Sequence, residues 1–302
     1  MTVVVAGSSG LIGTALVEAL RADGHDVVRL VRREARADDE VTWNPSLGGS
    51  GATPALRATV SGAHAVVNLA GAGVGEHRWD DRYRAQILDS RVASTTCLAT
   101  AIAECEQPPR VFVSGSAGGY YGDTGPSAVD ETAPRGATFL ATVAAAWEKA
   151  AGPARERGVR VVHPRTAVVA DPDGGAFGRW LPILRAGIGG RLGSGRQWWS
   201  LISLRDEVAA LRHLMDDERL DGPVNLAAPE QVTVADLTSR LGSALHRPTL
   251  AFVPGVALRA VLGEFAEELL IDQRLEPRRL LDTGFEFADP TVDDIVRDLL
   301  AG

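Results

Sequence analysis

The chain has 302 residues, 45% of them hydrophobic, with 31 basic and 39 acidic side chains and a formal net charge of −8. This size suits a globular protein with a large core, arranged as one domain with a second lobe. The acidic balance and the lack of a run of five or more basic residues argue against general binding to nucleic acid or to an anionic membrane, so we expect small-molecule partners.

The first predicted element is a strand that runs into a glycine-rich turn and a helix. Residues 3–13 read VVVAGSSGLIG, and an amphipathic pattern predicts a helix from Leu11 to about Ala22. In the spacing Gly7-x-x-Gly10-x-x-Gly13, the glycines allow a sharp turn, close approach of a pyrophosphate, and packing of helix on strand. The free N–H groups at the helix start favour phosphate oxygens, which indicates a dinucleotide site. Its predicted contacts are Gly7, Ser8, Gly10, Leu11, Ile12 and Gly13.

The second predicted strand, residues 27–31, ends at Arg32 and Arg33. A protein selective for NAD usually carries an acidic residue here, which binds the ribose hydroxyls. Two guanidinium groups instead match a 2′-phosphate in charge and geometry, so we predict NADP(H) as the cofactor, bound by Arg32 and Arg33. A solvated basic edge is the alternative.

Further apolar runs at 65–69, 111–113 and 159–162 alternate with helix-like segments. This alternation predicts parallel strands with crossover helices, and the continuous valine-rich runs predict strands that are buried on both faces. We therefore expect an α/β fold with a Rossmann-like, doubly wound parallel sheet. The NADP(H)-binding domain is predicted over residues 1–165.

Two Gly/Pro-rich passages, 44–54 and 115–136, interrupt this half, and the second is long enough to suggest a functional loop. Beyond Pro164 the alternation loosens, and helices are predicted from about Arg205 to Asp217 and from about Thr291. We predict that residues 166–302 form a smaller, substrate-facing lobe. Parts of about 200–228 are expected to pack back on the nucleotide domain.

The sequence gives no sign of export, of a membrane span or of a metal site. It begins directly with a strand pattern, and no stretch of 18 apolar residues follows. The two cysteines, Cys97 and Cys105, match no zinc or redox spacing, and the six histidines are scattered. We therefore expect a cytoplasmic protein without a metal.

Several motifs resemble those of the extended short-chain dehydrogenase/reductase superfamily: the glycine turn, Asn68-Leu69-Ala70-Gly71 and Ser114-Gly115-Ser116. Motifs at 43–45, 78–79, 89–91, 119–125 and 189–198 more narrowly resemble its atypical epimerase-like subfamily, labelled sugar-nucleotide epimerases of unproven substrate. Residues 254–300 resemble the carboxy-terminal module of unknown function in that subfamily. The resemblance covers essentially the whole chain.

This resemblance implies further cofactor contacts by Leu69, Ala70, Gly71 and Ser114, and we predict Arg165, a charge near the cleft, as another cofactor contact. Working members of the superfamily carry a Tyr-x-x-x-Lys pair on the helix after the fifth strand, where the lysine lowers the tyrosine pKa. Here the helix predicted over about 138–157 contains no tyrosine, and Ala145 stands four residues before the sole lysine, Lys149. We expect Val143 and Trp147 at the vacated positions.

Two residues after the fifth strand are candidates for catalysis. Ser116 resembles the serine that polarises the substrate in the superfamily, and Tyr121 is a weak candidate for the acid. Without a neighbouring cation the pKa of Tyr121 should stay near its ordinary value of about 10, which makes it a poor proton exchanger at neutral pH. Packing of a loop by Tyr120 and Tyr121 is the alternative.

Other side chains could bind a substrate that is acidic or aromatic. The subfamily-like motifs contain three arginines that could anchor an acidic or phosphorylated group, or form surface ion pairs: Arg78, Arg91 and Arg196. Three tryptophans could stack on a flat ring or pack in a core: Trp79, Trp198 and Trp199. Where the subfamily usually has Trp-Ile-His, this chain has residues 201–203 as Leu-Ile-Ser, so any role of that histidine is lost.

Two functions follow as hypotheses. The first is an NADP(H)-dependent oxidoreductase or epimerase-like enzyme that acts on a small carbonyl or sugar-type substrate. The second is a non-catalytic NADP(H)-binding protein with a redox-sensing or regulatory role. The sequence leaves the substrate and the oligomeric state open.

Overall fold

The computed structural model describes residues 1–46 and 51–301, so part of the predicted 44–54 passage lies outside the described residues. The strands, in chain order, are β1 (Thr2–Ala6), β2 (Asp26–Val31), β3 (Glu40–Thr42), β4 (Ala65–Asn68), β5 (Val111–Ser114), β6 (Arg160–Thr166), β7 (Val168–Ala170), β8 (Gly190–Leu192), β9 (Trp198–Trp199), β10 (Leu201–Ser203), β11 (Gly222–Leu226), β12 (Val232–Thr233) and β13 (Ala251–Val253).

The helices, in chain order, are α1 (Leu11–Ala22), α2 (Pro54–Val60), α3 (Asp81–Glu104), α4 (Phe139–Lys149), α5 (Gly152–Glu156), α6 (Gly175–Arg185), α7 (Leu204–Asp216), α8 (Val234–Ala244), α9 (Gly255–Leu262), α10 (Phe265–Leu270), α11 (Arg278–Asp282) and α12 (Val292–Ala301). A short 3-10 turn spans Gly118–Tyr121. The predicted bounds of α1 are confirmed.

A seven-stranded parallel sheet forms the centre of the molecule, in the order β11-β6-β5-β4-β1-β2-β3. All four residues of β4 and all four of β5 are buried, as expected for strands covered on both faces. One core, which includes Leu16 and Leu211, joins α1 and α7 to one face. A second core, which includes Leu56 and Leu98, joins α2 and α3 to the other. The predicted Rossmann-like, doubly wound fold is confirmed.

The helix predicted over about 138–157 was wrong in its extent, because two helices occupy this segment. Thr138 caps the start of α4, because its side chain accepts a hydrogen bond from Ala141 N. The short α5 then begins after Ala151, with Pro153 in its first turn. A proline there has no N–H to donate to the preceding turn, so it favours a new helix start over continuation of α4.

The second half of the chain contributes both to the central sheet and to a separate core. Strand β11 pairs with β6, so the sheet takes strands from both sides of residue 165. A core that includes Phe177, Trp199 and Ile295 joins α6, the β9 segment and α12. The division into domains at residue 165 stays a prediction.

A cluster of aromatic side chains joins the carboxy-terminal segment to the amino-terminal half of the chain. Phe265 of α10 packs with its ring centroid 5.4 Å from that of Trp79, and Phe139 of α4 lies 5.2 Å from the same ring. Glu268 of α10 accepts a hydrogen bond from Leu140 N, at the start of α4. The carboxy-terminal segment therefore packs against the start of α4.

Candidate functional site

The glycine turn lies at the carboxyl edge of the central strand β1, between β2 and β4. Gly7 has a φ of +84°, and a Cβ on Gly13 would stand 2.1 Å from Gly7 O. The fold itself therefore requires glycine at both positions. A Cβ on Gly10 would lie no closer than 3.5 Å to any atom outside its neighbours, so the fold does not require glycine there. Gly10 instead keeps the outer side of the turn open.

The start of α1 has no cap from a side chain. Its N-cap residue, Gly10, offers none, and the first backbone hydrogen bond into the helix runs from Thr14 N to Gly10 O at 2.8 Å. The N–H groups of Leu11, Ile12 and Gly13 are therefore available to a ligand, and the helix dipole favours an anion at this end. Ser8 is buried in the turn, and Leu11 and Ile12 are partly buried.

The loop after β4, residues 69–72, passes directly beside this turn. A Cβ on Gly7 would stand 2.6 Å from the carbonyl carbon of Leu69. Asn68 fixes the loop, because its Oδ1 accepts from Ala70 N at 3.1 Å and its Nδ2 donates to Thr95 Oγ1 at 2.9 Å. The structure thus brings together the turn and the predicted contacts Leu69, Ala70 and Gly71. We call residues 69–72 the β4 loop.

The two arginines after β2 differ in their partners. Arg33 donates to both carboxylate oxygens of Glu40, each at 2.7 Å. This contact is the main reason why the pKa of Glu40 is lowered to about 2. Arg32 is exposed and forms no hydrogen bond or ion pair with the residues that the structure describes. Arg32 is thus free to bind a ligand, whereas Arg33 would have to leave Glu40.

Ser114 and Ser116 follow β5 at the same edge of the sheet. Ser114 is fully buried, and its Oγ has no hydrogen-bond partner within the described part of the chain. Ser116 donates from Oγ to Glu148 Oε1 at 2.7 Å. Because a hydroxyl has one proton, Ser116 presents only acceptor lone pairs to a ligand in this arrangement.

Arg165 lies behind Ser116 in a buried network. It donates from Nε and Nη2 to the two oxygens of Glu148, at 2.8 and 3.0 Å, and from Nη1 to Tyr121 Oη at 2.8 Å. Its guanidinium also stacks 3.4 Å from the centroid of the Tyr120 ring. Burial opposes the charge, but the contacts with Glu148 and Tyr121 outweigh it and raise the pKa of Arg165 above its ordinary value.

Tyr121 differs from the expectation of an unperturbed hydroxyl without a cation beside it. Its Oη accepts from Arg165 and donates to Asn225 Oδ1 at 2.7 Å. Burial raises the pKa of Tyr121 to about 12, although the charge of Arg165 acts in the opposite direction. The expected pKa of about 10 was therefore wrong, since burial outweighs the neighbouring cation.

The helix α4 contains no tyrosine, and the placement of Val143 and Trp147 at the vacated positions stays a prediction. Val143 packs in the cluster that contains Trp79 and Tyr83. Trp147 lies beside Gly115, where a Cβ would stand 2.6 Å from its ring. Glu148 is the residue of α4 that contacts Ser116.

Sequence reasoning missed Glu148 and Asn225. Glu148 lies 17 residues from Arg165 and 32 from Ser116 along the chain, and Asn225 lies 104 residues from Tyr121. The sequence could have suggested these contacts only through the predicted pairing of neighbouring strands, whose ends lie close to Ser116, Tyr121 and Arg165. No local motif marks either residue.

The remaining tryptophan and arginine candidates are either buried in packing contacts or at least partly accessible at the surface. Trp79 and Trp199 are buried, and their Nε1 atoms donate to backbone carbonyls, so both act in packing. Trp198 is partly buried, with the Arg274 guanidinium 4.4 Å from its centroid. Arg196 is exposed, and Arg78 lies against Gly263 of the carboxy-terminal segment.

Within residues 1–46 and 51–301, no cluster of three His, Cys, Asp or Glu side chains could hold a metal ion. Over the same residues, none of the helices has the length and apolar character needed to cross a membrane.

Two protein-family profiles match the chain. The sequence profile of the NAD dependent epimerase/dehydratase family matches residues 3–227, and that of a domain of unknown function, DUF1731, matches residues 253–299. Epimerase family protein Mb2239 of Mycobacterium bovis is 44% identical over 293 residues, which cover 97% of this chain and 95% of the relative.

Two solved structures are similar over nearly their full length. Human epimerase family protein SDR39U1, crystallised with NADPH, is 32% identical with a TM-score of 0.90, and the match covers 100% of both chains. MoeE5, solved with UDP-glucose and NAD, is 21% identical with a TM-score of 0.75, over 99% of this chain and 97% of that one. The second likeness concerns the fold alone.

Proposed function

The chain belongs to the NAD-dependent epimerase/dehydratase family, and on that basis we propose that it is an NADP(H)-dependent oxidoreductase or epimerase-like enzyme for a small carbonyl or sugar-type substrate. The observation that carries this proposal is the uncapped start of α1 beside the open side of Gly10. Such a site suits the diphosphate of a dinucleotide. The cofactor, when bound, supplies or accepts the hydride.

We assign the cofactor contacts to the turn, to the β4 loop and to the neighbouring strand ends. The proposed residues are Gly7, Ser8, Gly10, Leu11, Ile12, Gly13, Arg32, Leu69, Ala70, Gly71 and Ser114. Arg33 would join them only by leaving Glu40. Arg165 acts from behind the site, because Glu148 and Tyr121 already hold its guanidinium.

Two observations favour NADP(H) over NAD(H). Arg32 stands two residues beyond Leu30, which pairs with Ala6 at the end of β1, and its guanidinium has no partner among the described residues. It is therefore available to a 2′-phosphate at the edge of the turn. The human relative, 32% identical over the full chain, was crystallised with NADPH.

In the proposed reaction Ser116 contacts the substrate oxygen. Its hydroxyl donates a hydrogen bond to Glu148, so its lone pairs can accept a hydrogen bond from a substrate hydroxyl. Tyr121 serves as a positioning residue, since both of its hydrogen bonds are made within the protein. The buried free cysteines Cys97 and Cys105 fit a reducing compartment such as the cytoplasm.

Calorimetric titration of the cofactor-free protein with NADPH and NADH tests the cofactor assignment. We expect NADPH to bind at least tenfold more tightly, a difference of about 1.4 kcal/mol. Arg32→Ala should remove most of that preference and leave NADH affinity unchanged. Arg110→Ala is the matched control, because this exposed arginine precedes β5 at the opposite edge of the sheet.

Equal affinity of the wild type for both cofactors would contradict the role of Arg32. Failure of both cofactors to bind would contradict the proposed function as a whole.

One observation favours the second candidate function, a non-catalytic NADP(H)-binding protein. The helix α4 supplies no tyrosine and presents Glu148, rather than a lysine, to Ser116. A redox-sensing role predicts that hydrogen exchange in residues 253–299 differs between complexes with NADPH and NADP+. Turnover of a carbonyl or sugar substrate that Ser116→Ala abolishes would exclude this alternative.

A further inference from the structure

Arg91 of α3 lies directly under the β4 loop. A Cβ on Gly71 would stand 3.1 Å from the Cζ of Arg91, so the loop leaves no space between its backbone and the guanidinium. On its other side the guanidinium faces Trp147 of α4, 5.0 Å from the ring centroid. Arg91 thus joins a proposed cofactor-binding loop to the helix that borders Ser116.

The hydrogen bonds of Arg91 are incomplete. Its Nη1 donates to Ala72 O at 2.8 Å and to Ile87 O at 3.1 Å. A guanidinium has five N–H donors, so those on Nε and Nη2 have no acceptor among the residues that the structure describes. The contacts of Nη1 with two carbonyls hold the side chain in place, and the N–H groups of Nε and Nη2 have no acceptor among the described residues.

Arg91 also lacks a counter-charge. No carboxylate in the described part of the chain forms an ion pair with it, and burial lowers its pKa to about 10. It stays charged at neutral pH, and a partly buried charge without a partner is unfavourable. Arg165, a buried arginine beside Ser116, is instead paired with both oxygens of Glu148. The absence of such a match at Arg91 indicates that a ligand supplies the anion.

We propose that Arg91 is an anion-binding residue of the site and that it holds a carboxylate or phosphate group of the substrate beside Trp147 and the β4 loop. This inference rests on the proposed function, because it takes the β4 loop as part of the cofactor site. Arg91 also provides a positive charge beside Trp147. The sole lysine of the chain, Lys149 on α4, is exposed.

The anionic oxygens could come from the cofactor or from the substrate. The start of α1 already provides donors for a diphosphate, and α1 packs against α7 on one face of the sheet. Arg91 lies on the other face, where α3 packs against α4. The diphosphate thus has donors that do not include Arg91, which favours an acidic or phosphorylated substrate as the source of the anion.

Calorimetry with inorganic phosphate tests the assignment on protein that is saturated with NADP+. We expect phosphate to bind the wild type and Arg91→Met to weaken it at least tenfold, while NADPH affinity changes less than about threefold. Arg91→Lys should retain part of the phosphate affinity. Arg82→Met is the matched control, because Arg82 is exposed on the same helix and has no partner among the described residues.

A second measurement on the wild type avoids dependence on the folding of the Met variant. The arginine Nε–H resonance that disappears in Arg91→Lys should shift when phosphate is added. An unmoved resonance, absent phosphate binding, or equal phosphate affinity of Arg91→Met would overturn the inference.

The titrations separate this inference from the proposed function. Failure of both NADPH and adenosine 2′,5′-bisphosphate to bind the wild type would overturn the proposed function. Loss of NADPH affinity in Arg91→Met without loss of phosphate affinity would identify the cofactor as the source of the anion and overturn the assignment to the substrate.

Discussion

Glu148 and Arg165 form a two-point ion pair beneath Ser116, with distances of 2.8 Å from Nε to Oε1 and 3.0 Å from Nη2 to Oε2. The Arg165 side chain is 3% exposed and that of Glu148 is 15% exposed. Ser116 donates to one member of the pair, and Tyr121 accepts from the other. The pair therefore fixes the orientation of both residues that the sequence predicted as catalytic.

We expect Arg165→Met to destabilise the protein by about 3–5 kcal/mol, because it leaves a largely buried carboxylate without its partner. The double variant Glu148→Gln with Arg165→Met should recover part of this loss, since no unpaired charge remains. Urea denaturation measures both free energies of unfolding.

Arg259→Met is the control for this prediction. Its ion pair with Glu267 is about half exposed on both sides, so solvent screens it and its loss should cost much less stability than loss of the buried pair. Similar losses in the free energy of unfolding for Arg165→Met and Arg259→Met would show that the buried pair does not stabilise the protein more than an exposed one.

Tyr121→Phe should reduce stability without reducing turnover. The variant leaves Asn225 Oδ1 and one N–H of Arg165 without a partner, at a cost of about 1–3 kcal/mol. Burial raises the pKa of Tyr121 to about 12, which makes proton release at neutral pH unfavourable. In the presence of a substrate that the enzyme reduces, the rate of NADPH oxidation should stay within about threefold of wild type. Loss of a general acid typically lowers the rate about 10²–10⁴-fold.

The contrast between Arg32 and Arg33 shows which parts of the site a sequence can predict. The glycine spacing, the bounds of α1 and the position of the two arginines follow from local patterns. The engagement of Arg33 depends on Glu40, which reaches it because β3 pairs with β2. Local charge counting predicted two phosphate ligands, but this strand pairing leaves only Arg32 without a partner.

Long-range contacts also determine the chemistry of Tyr121. The sequence predicted no cation beside it, yet Arg165, 44 residues away, donates to its hydroxyl. Parallel strands bring the ends of β5 and β6 together, but a sequence pattern does not say which side chains will meet there. The fold was therefore predictable from hydrophobic periodicity, whereas the hydrogen-bond network behind Ser116 was not.

Glu207 should make stability depend on pH. It is fully buried on α7, its Oε1 accepts from Thr166 Oγ1 at 2.8 Å, and burial raises its pKa to about 8. Between the ordinary value of 4.5 and about 8, the unfolded chain releases this proton and the folded protein keeps it. This group therefore lowers stability as the pH rises through that window, by up to about 1.4 kcal/mol per pH unit.

Glu207→Gln tests this pH dependence by comparison of unfolding free energies at pH 5 and pH 8. We expect the variant to gain stability relative to wild type by a few kcal/mol more at pH 8 than at pH 5. Glu218→Gln, at an exposed position just after α7, should show no such change. An equal effect of Glu207→Gln at both pH values would contradict the raised pKa.

Gly10→Ala and Gly13→Ala should separate cofactor binding from folding. A Cβ on Gly13 would stand 2.1 Å from Gly7 O, so we expect Gly13→Ala to destabilise the protein by about 3 kcal/mol or more. A Cβ on Gly10 meets nothing closer than 3.5 Å, so Gly10→Ala should cost about 1 kcal/mol or less. Because its methyl group would enter the space proposed for the diphosphate, NADPH affinity should fall at least tenfold, by about 1.4 kcal/mol. Thermal unfolding and calorimetry measure the two effects, and unchanged NADPH affinity of a folded Gly10→Ala protein would place the diphosphate elsewhere.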